Sequence, residues 1–164
     1  MAAPIVTFLE RCMAPRLIRM SIEGVARFVL LGRQANAFIP AYVLFEDRCE
    51  LFNLSGEVGL LSQYDGAAVL DFGSDFTIRP SYSAFCEIDK GDLFRTAGAI
   101  VRTEDADFLV ATANWRRDPV YCNIKTGDHK GEPGGARVAF AYWTMFTADD
   151  EKSPIVQVNV QNSS

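Results

Sequence analysis

The sequence predicts a mainly β protein, an antiparallel β-sandwich with a closed β-barrel as the alternative. Apolar residues alternate with period two in many short segments after Gly24. Turn signals such as Asp65-Gly66 and Pro133-Gly134-Gly135 separate these segments. Because no helical pattern intervenes after Gly24, the spacing favours sequential antiparallel strands rather than a parallel sheet.

The predicted strands follow one another at short intervals through a β domain that spans residues 24–161. In the 138–146 segment both alternating faces are apolar, so we expect this strand to be covered on both sides. The polar, Gly-rich residues 126–136 are expected to close a long hairpin. The predicted strands are 25–31, 38–45, 49–54, 67–72, 82–87, 94–102, 108–115, 120–125, 138–146 and 155–160.

Residues 1–23 form a separate N-terminal segment, which the sequence predicts to be a short amphipathic helix packed on the β domain. Its apolar residues recur at close to helical spacing, at Val6, Leu9, Met13, Leu17 and Met20. Arginines lie off this stripe, and Pro15 is expected to kink the helix because proline removes a backbone donor. The alternative is a helix that lies on an anionic membrane surface.

Charge and length limit the partners of this protein. The 164-residue chain has a formal net charge of −5 and a pI near 4.9, which argues against nucleic acid as a partner. The apolar runs near the start are too short for a membrane-spanning helix, and Glu10-Arg11 interrupts what could be a signal peptide. A cytoplasmic location is therefore expected.

The four cysteines, Cys12, Cys49, Cys86 and Cys122, form no CxxC pair. An even number permits two disulfides without implying any, and unpaired cysteines behave as small buried hydrophobes. In a cytoplasmic protein we expect reduced, mostly buried thiols.

Residues suited to catalysis, or to binding a metal or a cofactor, are scarce. We therefore expect a non-enzymatic protein that holds neither a metal nor a cofactor. His129 is the single histidine, which excludes a zinc site of several histidines. A Cys122–His129 couple across a hairpin, oriented by Asp128, is conceivable, but Cys122 is in phase with inward-facing residues. Acidic runs at 104–107 and 149–151 are typical of solvated turns, with a calcium site as the alternative, although they lack the regular spacing of a calcium loop.

The segment 114–123 carries the strongest binding signal in the sequence. A tryptophan, two arginines, an aspartate, a tyrosine and an asparagine crowd into one strand-to-strand connection. Alternation with Val120 and Cys122 predicts that Tyr121 and Asn123 face solvent. Aromatic side chains and guanidiniums together can bind a phosphate, a carboxylate or a quaternary ammonium. The candidate ligand-binding residues are Trp115, Arg116, Arg117, Asp118, Tyr121 and Asn123; in the other interpretation, Trp115 caps the core and the arginines pair with acids.

The order of these parts resembles that of the actinoporin-like cytolysins and the fungal fruit-body lectins. The matching stretches are Ile78-Arg-Pro-Ser to Thr96-Ala-Gly-Ala-Ile-Val101, Phe108-Leu-Val-Ala111 and Asp118-Pro-Val-Tyr-Cys-Asn123. The resemblance implies a β-sandwich with an N-terminal amphipathic segment, and it implies that Tyr121 and Asn123 correspond to the aromatic and amide of a ligand loop. The resemblance covers roughly 50 residues of the chain. Residues 126–136 lack the tyrosines with which choline-lipid-binding members continue.

Three hypotheses of function follow from these patterns. The first is a β-sandwich that binds lipid headgroups or glycans, with a membrane surface or a glycan as its partner. The second is a structural or interaction protein that self-associates into a homo-oligomer or blocks a partner through an exposed sheet edge. The third is a closed barrel that carries a small apolar ligand.

Overall fold

The computed structural model describes residues 5–8, 15–22, 24–33, 40–53, 68–81, 85–87, 92–147 and 154–160. Fifteen strands and one short 3₁₀ helix, Asp92–Arg95, occupy these ranges. The strands are β1 Ile5–Phe8, β2 Arg16–Ile22, β3 Val25–Leu31, β4 Pro40–Leu44, β5 Cys49–Asn53, β6 Ala68–Gly73, β7 Phe76–Pro80, β8 Phe85–Glu87, β9 Ile100–Arg102, β10 Asp107–Ala111, β11 Val120–Asn123, β12 His129–Lys130, β13 Val138–Phe140, β14 Tyr142–Thr147 and β15 Val156–Asn159.

The strands form three antiparallel sheets, which confirms the predicted mainly β fold and its sandwich-like layering. The first sheet has the order β1-β6-β2-β3-β4-β5, the second β12-β11-β10-β9-β13-β8, and the third β15-β14-β7. Over the described ranges none of the three closes on itself, so the barrel alternative is not the observed fold.

The predicted N-terminal helix is wrong over the described part of that segment. Ile5–Phe8 pairs with β6, and Arg16–Ile22 pairs with both β3 and β6. Leu17 is buried on one face of β2 and Ile18 on the other, so both faces of the strand are apolar. A strand covered on both faces has no clean alternation, and its apolar residues can fall at helical spacing by coincidence. Residues 9–14 lie outside the described ranges.

Several other predictions differ from the observed strands. The 108–115 prediction ends at Ala111 as β10, and residues 126–136 do not close a hairpin with the following strand, because β13 pairs with β8 and β9 and not with β11. The 94–102 prediction begins in the 3₁₀ helix and turns at Gly98 before β9 starts. The 138–146 prediction is divided at Ala141, where the chain leaves the second sheet for the third. Its expected burial on both faces is confirmed, because Ala139, Phe140 and Trp143 are all buried.

The main core lies where the three sheets face one another. It takes side chains from the first sheet, the second sheet and the third sheet, including Leu30, Leu109 and Trp143. A second apolar cluster, which includes Ile18 and Val43, covers the opposite face of the first sheet. A third cluster joins Phe94 of the 3₁₀ helix to the outer face of the second sheet. Apolar burial on both faces of a sheet is the dominant stabilising contribution here.

Gly98 contacts residues that belong to, or lie next to, strands of all three sheets. Its backbone has a φ of +98°, and a Cβ there would lie 2.7 Å from Val160 Cγ1 and 2.8 Å from Arg48 Cα. Its carbonyl accepts a 2.7 Å hydrogen bond from Trp143 Nε1, and its N–H donates to Val110 O at 2.8 Å. Only glycine combines this conformation with this closeness of approach.

Candidate functional site

The predicted site residues divide between the two ends of β11. Trp115, Arg116, Arg117 and Asp118 precede the strand and are exposed, and we refer to these four residues as the Trp115 corner. The 3.3 Å hydrogen bond from Arg116 N to Ala113 O closes the turn. Pro119 restricts Asp118 to extended backbone and so directs the chain into β11.

Trp115 is the main exposed apolar group of the corner. Half of its surface is accessible (50%), and Val25 is the only other large hydrophobic residue of the described chain with comparable exposure. This exposure is what the binding interpretation of segment 114–123 requires of Trp115. An indole is large and amphipathic, and an exposed one supplies a flat surface on which a ligand can stack.

The prediction that Tyr121 faces solvent is wrong. Tyr121 is 1% exposed and packs in the cluster that contains Phe94 and Val110. Its hydroxyl donates a 2.8 Å hydrogen bond to Phe94 O. The alternation along β11 is as predicted, since Val120 and Cys122 face the main core. The face that Tyr121 occupies is covered by the 3₁₀ helix, so it cannot serve as the exposed aromatic that the family resemblance implied.

Asn123 lies at the far end of β11, away from the corner. Its side-chain oxygen accepts hydrogen bonds from Lys125 N at 2.9 Å and Thr126 N at 3.2 Å. Its own backbone N–H donates to Asp128 O at 2.8 Å. These bonds hold the turn that leads into β12, which is a common role for asparagine.

A cleft of about 190 Å³ adjoins the corner, and the sequence did not predict all of its walls. Arg95 comes from the end of the 3₁₀ helix and Glu132 from the loop after β12, and their side chains form a 2.8 Å ion pair. The hydrogen bond and the negative charge of Glu132 raise the pKa of Arg95. The full lining is Arg95, Arg116, Asp118, Pro119, Tyr121, Gly131 and Glu132.

The charges in the cleft are balanced in sign. The cleft is lined by two guanidiniums, those of Arg95 and Arg116, and by two carboxylates, those of Asp118 and Glu132. Among the described residues, neither Arg116 nor Arg117 makes a salt bridge. The expected pairing of these arginines with nearby acids is therefore not observed there. The cleft offers hydrogen-bond donors and acceptors, and the exposed Trp115 immediately precedes its lining residue Arg116.

Cys122 and His129 lie opposite each other in the strand register, but one is buried and the other is exposed. The two residues are direct partners in the β11–β12 pairing. Cys122 is fully buried, and its burial raises the pKa of the thiol to about 12, whereas His129 is exposed. Such a thiol stays protonated at neutral pH, and thiolate is the nucleophilic form. Both Cys49 and Cys122 are free and buried, as predicted for them.

Two carboxylates of the acidic turn at 104–107 form ion pairs with arginines. Asp107 accepts two hydrogen bonds from Arg102, at 2.8 and 3.1 Å, and Glu104 accepts one from Arg137 at 3.2 Å. No group of three or more potential metal ligands is found in the described ranges. The 149–151 run lies outside them. The same ranges hold no helix with the length and apolar character needed to cross a bilayer.

Comparison with protein-family models, curated proteins and solved structures gives no match for this chain.

Proposed function

We propose that this protein is a non-enzymatic binding protein that recognises a glycan at the Trp115 corner and its adjoining cleft. The observation that carries the proposal is a half-exposed tryptophan that immediately precedes Arg116 in a cleft lined by two guanidiniums and two carboxylates. A sugar ring has an apolar face that stacks on an aromatic surface and hydroxyl groups that both donate and accept hydrogen bonds. Donors and acceptors held by a rigid scaffold fit that chemistry.

The balance of charge favours a glycan over a phosphate within the cleft. A phosphate gains most from uncompensated guanidiniums, whereas here Glu132 already accepts from Arg95. At about 190 Å³ the cleft is also below the ~300–1,000 Å³ of sites that enclose drug-sized ligands. It therefore suits one terminal sugar ring, with the rest of the glycan in solvent.

A lipid headgroup is the second candidate, and one observation favours it. Arg116 and Arg117 are exposed next to Trp115 without a salt bridge to a described residue. A tryptophan flanked by cations is suited to the interface of an anionic bilayer. This alternative uses Arg117, which does not line the cleft, and it gives no role to Asp118 or Glu132.

A glycan array with the whole protein tests the proposal. We expect Trp115→Ala and Glu132→Gln each to abolish or strongly weaken the signal, while Val25→Ala leaves it unchanged. Val25 is the matched control, because it is equally exposed and lies outside the cleft. Binding to phosphatidylserine vesicles that requires Arg116 and Arg117, with no array signal, would support the lipid candidate instead. An array signal that survives Trp115→Ala contradicts the assignment of the corner.

A further inference from the structure

A second cavity, which we name the groove, lies between the first and third sheets. It has a volume of about 470 Å³ and shares no lining residue with the cleft at the Trp115 corner. Arg19, Arg27 and Phe28 line it from the first sheet, and Val156, Gln157 and Asn159 line it from β15. A 2.8 Å hydrogen bond from Asn159 N to Glu46 O joins its two walls. The groove is thus held by backbone structure on both sides.

Two guanidiniums lie over aromatic rings that themselves line the groove. Arg19 Cζ is 4.7 Å from the centroid of the Phe28 ring, and Arg27 Cζ is 4.6 Å from that of Phe45. A guanidinium above an aromatic ring is attracted to the ring without using its N–H donors. Those donors can still bind a planar or tetrahedral anion.

The end of β4 explains how both arginines reach one cavity. Strand alternation places Arg19 with Phe28 on one face of the first sheet and Arg27 on the other. Pairing between β3 and β4 stops at Phe28 and Leu44, so the first residues of β3 have no partner from β4. The groove extends around this open part of the strand and is lined from both faces.

Neither arginine is neutralised by the part of the chain that the structure describes. Arg16, Arg95 and Arg102 each form a salt bridge of 2.9 Å or less, whereas Arg19 and Arg27 form none with a described carboxylate. Glu46 is the single acidic residue among the groove's described lining residues, which leaves two cations against one anion. A local positive excess in a chain of net charge −5 indicates an anionic occupant.

The groove also has an apolar part, which is smaller than its polar part. Phe28, Leu44 and Val156 line it together with Tyr142, and Leu44 and Val156 are almost fully buried beneath it. The volume falls within the ~300–1,000 Å³ range of small-molecule sites, although the lining is more polar than is usual for them.

We propose that the groove binds a small organic anion, a carboxylate or phosphate monoester attached to an apolar or aromatic body. The anionic group lies against Arg19 and Arg27, and the apolar body lies on Phe28, Leu44 and Val156. This site is separate from the glycan site, and neither proposal depends on the other.

Fluorescence titration of the whole protein with 8-anilinonaphthalene-1-sulfonate tests the charge requirement. N-phenyl-1-naphthylamine is the matched probe, because it has the same aromatic body without the sulfonate. We expect the sulfonate to bind at least about tenfold more tightly, because it can accept charge-assisted hydrogen bonds from the two guanidiniums. The double variant Arg19→Gln/Arg27→Gln removes this preference, and Arg137→Gln, an exposed arginine outside the groove, keeps it.

Displacement of the sulfonate probe from the wild-type protein by competing ligands distinguishes the ligand classes without any variant. Octanoate and octyl phosphate should displace the sulfonate probe, and their ratio indicates whether carboxylate or phosphate is preferred. Octanol and inorganic phosphate, which each lack one half of the ligand, should be at least about tenfold weaker. Equal displacement by octanol and octanoate would overturn the proposal, as would an unchanged probe preference in a folded double variant.

Discussion

Two tyrosines are fully buried in the described chain, and only one of their hydroxyl groups donates a hydrogen bond to a backbone carbonyl. Tyr121 donates to Phe94 O at 2.8 Å, whereas the Tyr42 hydroxyl makes no hydrogen bond to an oxygen or nitrogen atom of the described residues and has only the Cys122 thiol, a weak hydrogen-bonding group, beside it. A buried hydroxyl with so weak a partner loses its hydration and gains little in return. The free energy of unfolding should therefore respond differently to the same chemical change at the two positions.

We expect Tyr42→Phe to leave the free energy of unfolding unchanged or to raise it by up to about 1 kcal/mol. Tyr121→Phe should lower it by about 1 kcal/mol, because Phe94 O is then left without its donor. Urea denaturation of both variants beside the wild type measures the difference. Equal losses at the two positions would contradict the assignment of their hydrogen bonds.

The buried thiols predict a stability that depends on alkaline pH. Burial raises the pKa of Cys122 to about 12 and raises the pKa of Cys49 well above its ordinary value, and proximity to Cys122 adds to the shift at Cys49. In the unfolded chain both thiols ionise near their ordinary pKa of about 8.5. The folded state then holds more protons than the unfolded state, so stability is complete below that pH and declines as pH rises toward about 12.

Denaturation of the wild type between about pH 7 and pH 10 should show this decline, with a slope of up to ~1.4 kcal/mol per pH unit for each thiol. The double variant Cys49→Ala/Cys122→Ala is expected to be less stable at neutral pH, because the substitutions leave cavities. Its stability should nevertheless vary less with pH. If the double variant retains the full slope, other groups cause the decline.

At the scale of elements, the turn at Gly98 requires a glycine, because it combines a positive φ with close contacts on the side where a Cβ would lie. Gly98→Ala places a Cβ 2.7 Å from Val160 and 2.8 Å from the backbone of Arg48, at a positive φ. We expect a loss of about 2 kcal/mol or more, from backbone strain and overpacking together. Gly134→Ala is the control, because no atom lies within 4 Å of its Cβ position, and it should change stability by less than about 0.5 kcal/mol. Similar melting temperatures for the two variants would contradict this account.

Strands whose apolar run lies between turn signals could be predicted from the sequence even where both faces are buried. β3 occupies its predicted bounds, Val25–Leu31, between Gly24 and Gly32, and β5 differs from its prediction by one residue. β2 is also buried on both faces, but its apolar residues continue a helical spacing that begins at Val6, so the sequence favoured a helix there. β7 was also missed, since Arg79 and Pro80 weaken its strand pattern, although all five of its residues pair with β14.

The exposed part of the candidate site could be predicted, because exposure of a turn follows from the composition of the turn itself. A turn with Trp115 and charged neighbours before Pro119 is exposed, as expected from its composition. The burial of Tyr121 depends on the 3₁₀ helix, which is distant in sequence and covers the second face of β11. Arg95 and Glu132 join the site through that same packing, and no local pattern indicates it.

At the scale of the whole molecule, the main core predicts that the three sheets unfold together. It contains Leu30 from the first sheet, Leu109 from the second and Trp143 from the third. Loss of any one sheet would expose the apolar surface of the other two. We expect urea unfolding followed by far-ultraviolet circular dichroism and by tryptophan fluorescence to give one coincident transition. Two separated transitions would show that the sheets belong to independent units.

The proposal of a glycan site at the Trp115 corner has its most direct test in the two tryptophans of the chain. Trp115 is 50% exposed, and Trp143 is buried with its N–H bonded to Gly98 O. In a ¹H–¹⁵N spectrum of the wild-type protein, titration with the saccharide selected on the array should shift the Trp115 indole signal and leave that of Trp143 in place. A saturable complex in which the Trp115 signal does not move, or the absence of any binding saccharide, would contradict the proposed function.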